Sequence, residues 1–236
     1  MDDLRARRGL VVALDGPGSS GKSSVGAAAA LELDYRFVDT GLFYRALTWF
    51  ARARHVRSAD EGALVALVSH VTLAPDEAGR LDRVLVDGQD VTDEVHGAIV
   101  DQHVSEVAKV GALRAALLPV QRALAADGRI VVAGRDIGTV VLPDADLKIF
   151  LDASVEERAR RRVEERALRP DGPEARWILA QLQRRDEIDS TREVAPLRPA
   201  DGAQHIVTDG ITFGETVAAV VAAIRAAEAR RVGQVE

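Results

Sequence analysis

The sequence contains no cysteine, which excludes a disulfide framework, a thiolate zinc site and a catalytic thiol. Lysine is nearly as scarce, occurring only at positions 22, 109 and 148, and arginine supplies the rest of the basic residues. A GC-rich coding sequence is enough to explain that bias, which leaves Lys22, inside a glycine-rich loop, as the lysine to watch. No uncharged run approaches the length of a membrane span. The apolar stretch in MDDLRARRGLVVALDG is only LVVAL and an aspartate ends it, so neither a signal peptide nor an anchor is expected, and the cytoplasm is the expected compartment. There is no internal repeat and no low-complexity linker. The five histidines (55, 70, 96, 103 and 205) show no paired spacing, and no Asn-Lys-x-Asp of the kind that reads guanine occurs. A formal net charge of -6 argues against a surface built to coat nucleic acid.

What is present is a globular composition, 47% apolar and 29% charged over 236 residues, enough for one core with small inserted lobes. LVVAL (10–14), YRFVD (35–39), IVVAG (130–134), LKIFLD (147–152) and HIVTD (205–209) read as short buried strands. Helical spacing marks 41–54, 105–126, 154–167, 175–190 and 214–231, with Gly111 expected to split the second of these and Pro119 to kink it. The stretch 70–96, with a turn at DGQD, reads as a small β insertion outside the main βα alternation. Strands alternating with helices imply an α/β fold with a parallel sheet.

Between the first strand and a helix starting near Ser23 lies GPGSSGKSS: Gly16, Pro17, Gly18, Ser19, Ser20, Gly21, Lys22, Ser23 and Ser24. Gly-x-x-x-x-Gly-Lys-Ser in that context is a complete phosphate-binding loop. Its glycines let successive N–H groups point inward, and the helix N-terminus adds its dipole. Lys22 would reach the β- and γ-phosphates of ATP, and the Ser23 hydroxyl would ligate Mg²⁺. The loop alone leaves open a switch or motor, a kinase acting on a hydroxyl-bearing metabolite with Asp39 or Asp136 as base, and a kinase acting on a phosphate. The last class needs many arginines, because two phosphates must be held against their repulsion. DTGLFYR supplies Asp39, Thr40, Tyr44 and Arg45. Ser105 and Arg114 follow, then Arg135 and Asp136 in GRDIGT, and Arg184, Arg185, Asp189 and Arg192 in RRDEIDSTR. Taken singly, Arg185 with Asp189 could be a plain i,i+4 pair, Arg135 with Asp136 a turn ion pair, and Asp39 a strand-end residue.

Together, GPGSSGKSS, DTGLFYR, GRDIGTVVLPDADLKIFLDAS and RRDEIDSTREVAPL resemble the bacterial cytidylate kinases, over nearly the whole chain. The resemblance implies a P-loop NTPase-type parallel sheet flanked by helices, with an inserted α+β lobe for the monophosphate and a helical lid. The core would be 1–41, 127–153 and 198–236, the lobe about 42–126 and the lid about 154–197. It implies a monomer that transfers the γ-phosphoryl group of ATP, with Mg²⁺, to CMP or dCMP. By resemblance, Thr40, Arg45, Arg135 and Arg192 hold the acceptor phosphate. Ser105, Arg114 and Asp136 read cytosine, and Arg185 and Asp189 hold the ribose. Arg158 and Arg162 approach the donor phosphates, with Arg160 and Arg161 equally close in sequence. Apart from the resemblance, Asp39 at its strand end would reach Mg²⁺ through water. One departure is Ala133 before GRDIGT, where an acidic residue is expected.

Overall fold

The computed structural model describes residues 9–77 and 79–233. The expected core segments extend past these limits, at 1–8 and 234–236. Eight strands form one sheet: β1 (Val11–Asp15), β2 (Arg36–Asp39), β3 (Val71–Pro75), β4 (Leu81–Val86), β5 (Gln89–Asp90), β6 (Ile130–Gly134), β7 (Leu147–Asp152) and β8 (Gln204–Val207). The order is β3-β4-β2-β6-β1-β7-β8, with β5 on β4. Strands β2, β6, β1, β7 and β8 run parallel. The central strands read as uninterrupted Val/Ile/Leu runs because both of their faces are covered.

The helices are α1 (Lys22–Glu32), α2 (Gly41–Ala53), α3 (Glu61–Ala66), α4 (Ala98–Ala108), α5 (Gly111–Leu124), α6 (Val155–Glu165), α7 (Pro173–Thr191) and α8 (Phe213–Val232). Local chemistry sets their ends. The Ser154 hydroxyl accepts from the Glu157 N–H at the start of α6. Thr212 and Glu215 form a reciprocal capping box on α8, and Pro173 opens α7. One sheet face carries α1 and α8 over Leu10, Val12, Leu14, Val131 and Ile149. The other carries α2, α4 and α5 over Ala13, Val38, Ile130 and Val132. A small separate cluster of Ala159, Val163, Ala175, Ile178 and Leu182 joins α6 to α7.

Three features depart from expectation. The β insertion is not separate from the alternation: β4 continues the sheet beside β2, paired at Val38 and Leu81, with β3 and β5 antiparallel to it. Its apolar side chains, Leu73, Val84 and Val86, join the α2-side core. The second helical segment begins at Ala98, seven residues earlier than read, and α3 lies where no element is expected. Helix α5 runs continuously past Pro119, whose ring is exposed. The carbonyl of Ala115 one turn back, which loses its amide partner there, is likewise on the exposed side.

Helix α1 is pressed close to the sheet. A Cβ at Gly26 would lie 2.7 Å from the Phe37 ring and 2.8 Å from Leu14. Alanine in a helix interior gains about 1 kcal/mol over glycine, whereas overpacking costs about 1–3 kcal/mol. Gly26→Ala is therefore expected to lower stability in urea unfolding, and to disturb the phosphate loop because α1 carries Lys22 and Ser23 at its start.

Candidate active site

The C-terminal ends of β1, β2 and β6 meet at one crevice, where an open parallel sheet gathers its loops. The glycine loop leaves β1 under tight restraint. A Cβ at Gly16 would sit 2.1 Å from the Leu151 carbonyl oxygen, so only glycine fits there. Ser19 and Gly21 both take positive φ, +60° and +87°, curling the loop before α1. Lys22 is buried and its Nζ donates to the Pro17 carbonyl at 3.0 Å. Burial, then the charge of Arg135, hold the ammonium pKa well below its ordinary value. An anion in the loop would relieve both.

Ser23 and Asp39 lie together beside it, the hydroxyl donating to the carboxylate. Burial pushes Asp39 up, but Lys22, Ser23, the Gly41 N–H and Arg135 outweigh it and hold the carboxyl below its ordinary value. Among the described residues no group of three or more His, Cys, Asp or Glu could cage a metal. One hydroxyl and one carboxylate are hard oxygen donors. They suit a Mg²⁺ ion that keeps its waters and takes its other ligands from phosphates. Asp39 is paired across the strands with Ala133. Ala133 itself is buried in the apolar core with Leu14 and Val131. The acidic group missing at 133 thus has a counterpart in Asp39, on the neighbouring strand.

The arginines and aspartates form a ladder of alternating charge. Arg114 donates to Asp136 at 2.5 Å and to the Ala108 carbonyl at 2.9 Å, and its guanidinium lies 5.1 Å from the centre of the Tyr44 ring. Asp136 also faces Arg192 at 3.6 Å. Arg135 donates to Asp189 at 3.1 Å, and Arg185 and Arg192 flank the same carboxylate at 3.9 and 4.0 Å. Four guanidiniums share two carboxylates. Burial, then Arg135, push Arg185 down to about 10. Burial, then Arg114, lower Arg192. The Nε atoms of Arg114 and Arg185 and one terminal nitrogen of Arg192 are buried with no hydrogen-bond partner. Two of these, Arg185 Nε and Arg192 Nη2, face the Asp189 and Asp136 carboxylates at 3.9 and 3.6 Å, too far for a hydrogen bond, so the cluster holds more guanidinium donors than its two carboxylates satisfy.

A cavity of about 1010 Å³ joins the two halves. Of the residues singled out in the sequence, it is lined by Ser19 to Ser24, Asp39, Thr40, Tyr44, Arg45, Ser105, Arg114, Arg135, Asp136, Arg162, Arg185, Asp189 and Arg192. That volume is at the upper end for one small-molecule site and has room for two ligands. Several members are already engaged. The Thr40 hydroxyl donates to the Ala133 carbonyl at 2.9 Å, so it faces the cavity only as an acceptor. Arg45 donates to Val95 O at 3.0 Å and to Asp101 at 2.6 Å.

Arg158 is not among the lining residues. It is buried, donating to Ala153 O at 2.9 Å, Gly18 O at 3.0 Å and both oxygens of Asp186. In this structure Arg158, which the resemblance brings toward the donor phosphates, is a strut between α6 and the phosphate loop. Arg160, Arg161 and Arg162 line the cavity in its stead. Arg80, Asp82, His96 and the donor-side group Leu31, Ile211 and Phe213 also line it and were not singled out in the sequence. Asp15 was likewise passed over. It is 3% exposed and accepts from the Ile137 and Gly138 N–H groups at 2.8 and 2.7 Å, pinning the loop that carries Arg135 and Asp136.

The family model described as cytidylate kinase matches residues 12–226. The chain is 44% identical over 213 residues to the cytidylate kinase of Geobacillus sp. (strain WCH70), covering 89% of this chain and 94% of that one. It is 46% identical over 213 residues to that of Geobacillus kaustophilus, with the same coverage. To that of Rhodococcus jostii it is 44% identical over 211 residues, 88% of this chain and 91% of the relative.

Burial, opposed by the two N–H groups, raises the Asp15 carboxyl from 3.8 to about 6. The folded state then binds a proton that the unfolded state has released, so stability present below pH 4 is lost as pH rises through about 6. At 1.36 kcal/mol per pKa unit the loss is about 3 kcal/mol. Urea unfolding from pH 4 to 7 is expected to show this fall for the wild type relative to Asp15→Asn, whose side chain does not titrate. Parallel curves would show that Asp15 does not titrate in that window.

Proposed function

The chain belongs to the cytidylate kinase family, and from that premise we propose how its own residues transfer the γ-phosphoryl group of ATP to CMP or dCMP, giving ADP and CDP or dCDP. The observation that carries the reading is the buried arginine–aspartate ladder that lines one cavity together with the phosphate loop. Lys22 and the loop amides from Gly16 to Ser24 hold the donor phosphates. Ser23 and, through water, Asp39 would hold Mg²⁺, which supplies charge neutralisation on the donor phosphates when bound. Arg135 and Arg192, with Arg45 and Thr40, hold the acceptor phosphate in line. Arg162 closes from the lid, with Arg160 and Arg161 beside it, and excludes water from the transferring group.

No general base is required, because the attacking oxygen of a monophosphate is already ionised at neutral pH. The carboxylates agree with this. Asp39 is held ionised by Lys22 and Ser23, and Asp136 is tied to Arg114 and Arg192. Both carboxylates are thus already engaged by donors within the site.

Ser105, Arg114 and Asp136 read the base. A fixed Arg114 donates to cytosine O2 and N3, and Asp136 accepts from the exocyclic amine. Uracil turns an N–H toward the arginine and a carbonyl toward the aspartate. Each buried mismatch costs about 1–3 kcal/mol. Arg185 and Asp189 hold the ribose, and Tyr44 backs Arg114. In this reading residues 42–126 form the monophosphate lobe and 154–197 the lid. The enzyme works as a monomer in the cytoplasm, with no nucleic-acid or membrane partner. Among the described residues, no helix is long and apolar enough to cross a membrane.

ADP release from MgATP, measured against CMP, dCMP, UMP, AMP, GMP, shikimate and no acceptor, tests the reading. Turnover is expected with CMP and dCMP, and with UMP at least about tenfold less efficient. ADP release indifferent to acceptor would overturn it. Lys22→Met is expected to lower kcat by about 10²–10³. The same change should raise the nucleotide-free melting temperature, since a buried ammonium set against Arg135 is removed.

A further inference from the structure

Asp101 belongs to none of the motifs described so far, yet it stands where lobe and lid meet. It lies on α4, one turn before Ser105. One carboxylate oxygen accepts from Arg45 Nη2 at 2.6 Å. The other accepts from Arg162 Nη2 at 3.0 Å and Arg166 Nη2 at 3.3 Å, both on or just after α6. The second terminal nitrogen of Arg45 is held by the Val95 carbonyl at 3.0 Å. So the lobe arginine assigned to the acceptor phosphate and the lid arginine assigned to the donor phosphates are bound to one carboxylate. The ion pairs joining α4 to α6 all run through it.

We propose that Asp101 is a positioning residue that substitutes for the acceptor phosphate in the nucleotide-free enzyme: it holds Arg45 and Arg162 together and surrenders both when the monophosphate enters. The proposal rests on the assignment of Arg45 to that phosphate. Three guanidiniums on one carboxylate leave most of their N–H groups without a charged acceptor. A phosphate dianion offers more oxygens in the forked geometry that arginine prefers, so the exchange is favourable. The pairs are also partly open to water, with side-chain exposures of 16% for Arg45, 18% for Asp101 and 28% for Arg162. Parting them does not strand a buried charge. Burial opposes ionisation of Asp101, but the charges of Arg45, Arg162 and Arg185 outweigh it and keep the carboxyl below its ordinary value. It is therefore an anion throughout the working pH range. Two consequences follow. Asp101 competes with CMP for Arg45. It also keeps Arg162 away from ATP until an acceptor is present, which restrains hydrolysis.

The test is Asp101→Asn, which keeps the shape and removes the charge. CMP affinity, measured by calorimetry without ATP, is expected to rise about fivefold, the size of one ion pair of this exposure. kcat should stay within about twofold. ADP release without acceptor should increase, and a fluorophore pair spanning α4 and α6 should report a longer distance in the nucleotide-free protein. A merely structural residue would leave CMP affinity unchanged or weaken it, and either result overturns the proposal. Arg166→Gln removes only a lid arm. It is expected to lengthen the same distance while leaving CMP affinity unchanged, and an unchanged distance there overturns the proposal even if Asp101→Asn does not fold. Arg45→Ala separates the two levels. Weaker CMP binding in Arg45→Ala with no gain in Asp101→Asn overturns the exchange alone. Unaltered binding in Arg45→Ala overturns the assignment of Arg45 and the proposal with it.

Discussion

Like charge confined in a poorly solvated space is the constraint on which the rest of this molecule depends. Lys22, Arg114, Arg135, Arg185 and Arg192 crowd a crevice in which Asp136 and Asp189 are the ladder's carboxylates and Asp39 faces the lysine. Such an arrangement is unfavourable when empty, and the depressed proton affinities of Lys22, Arg185 and Arg192 express it. The protein tolerates it because the strands beneath are rigid and fully buried, and because the unfavourable field is the complement of two nucleotides' phosphates. Affinity for those phosphates is thus stored as repulsion in the resting state.

The sheet makes the crowding possible. β1 is the hub, paired with β6 on one side and β7 on the other. From its end the phosphate loop and the anchoring carboxylate Asp15 emerge one residue apart. Asp15 reaches across to the backbone of residues 137 and 138, so donor loop and acceptor loop share one foundation. That foundation is itself a buried carboxyl, held by two backbone N–H groups. The two faces of the sheet do different work. The α1 and α8 side is an ordinary apolar core that seats the phosphate loop. The α2, α4 and α5 side carries the acceptor lobe as an extension of the sheet.

Much of this was legible in the sequence. The central strands announce themselves as unbroken β-branched runs, and the phosphate loop is fixed by spacing and context. The convergence of DTGLFYR, GRDIGT and RRDEIDSTR follows once each is placed at a strand end or on a helix face. What was not legible depends on contacts between distant segments. The pairing of Val38 with Leu81, which joins the hairpin to the sheet, leaves no periodic trace. In the run Arg160-Arg161-Arg162, preceded two residues earlier by Arg158, helix phase decides which guanidinium faces the cavity, and the sequence does not fix that phase to one residue. Asp15 read as the end of an apolar run because nothing local reveals that the N–H groups donating to it lie 122 and 123 residues away. Asp101 carried a usable signal: it precedes Ser105 by one helical turn and therefore shares its face.

The strut made by Arg158 has a mechanical consequence. It rivets α6 to the phosphate loop through Gly18 and to α7 through Asp186, and Arg161 adds a second rivet to the Thr208 loop. The start of α6 is therefore fastened on three sides, to the phosphate loop, to α7 and to the Thr208 loop. Phosphate loop, α6 and α7 are thereby linked by side chains into one block. A load placed on α6 is then shared with the phosphate loop through a single guanidinium.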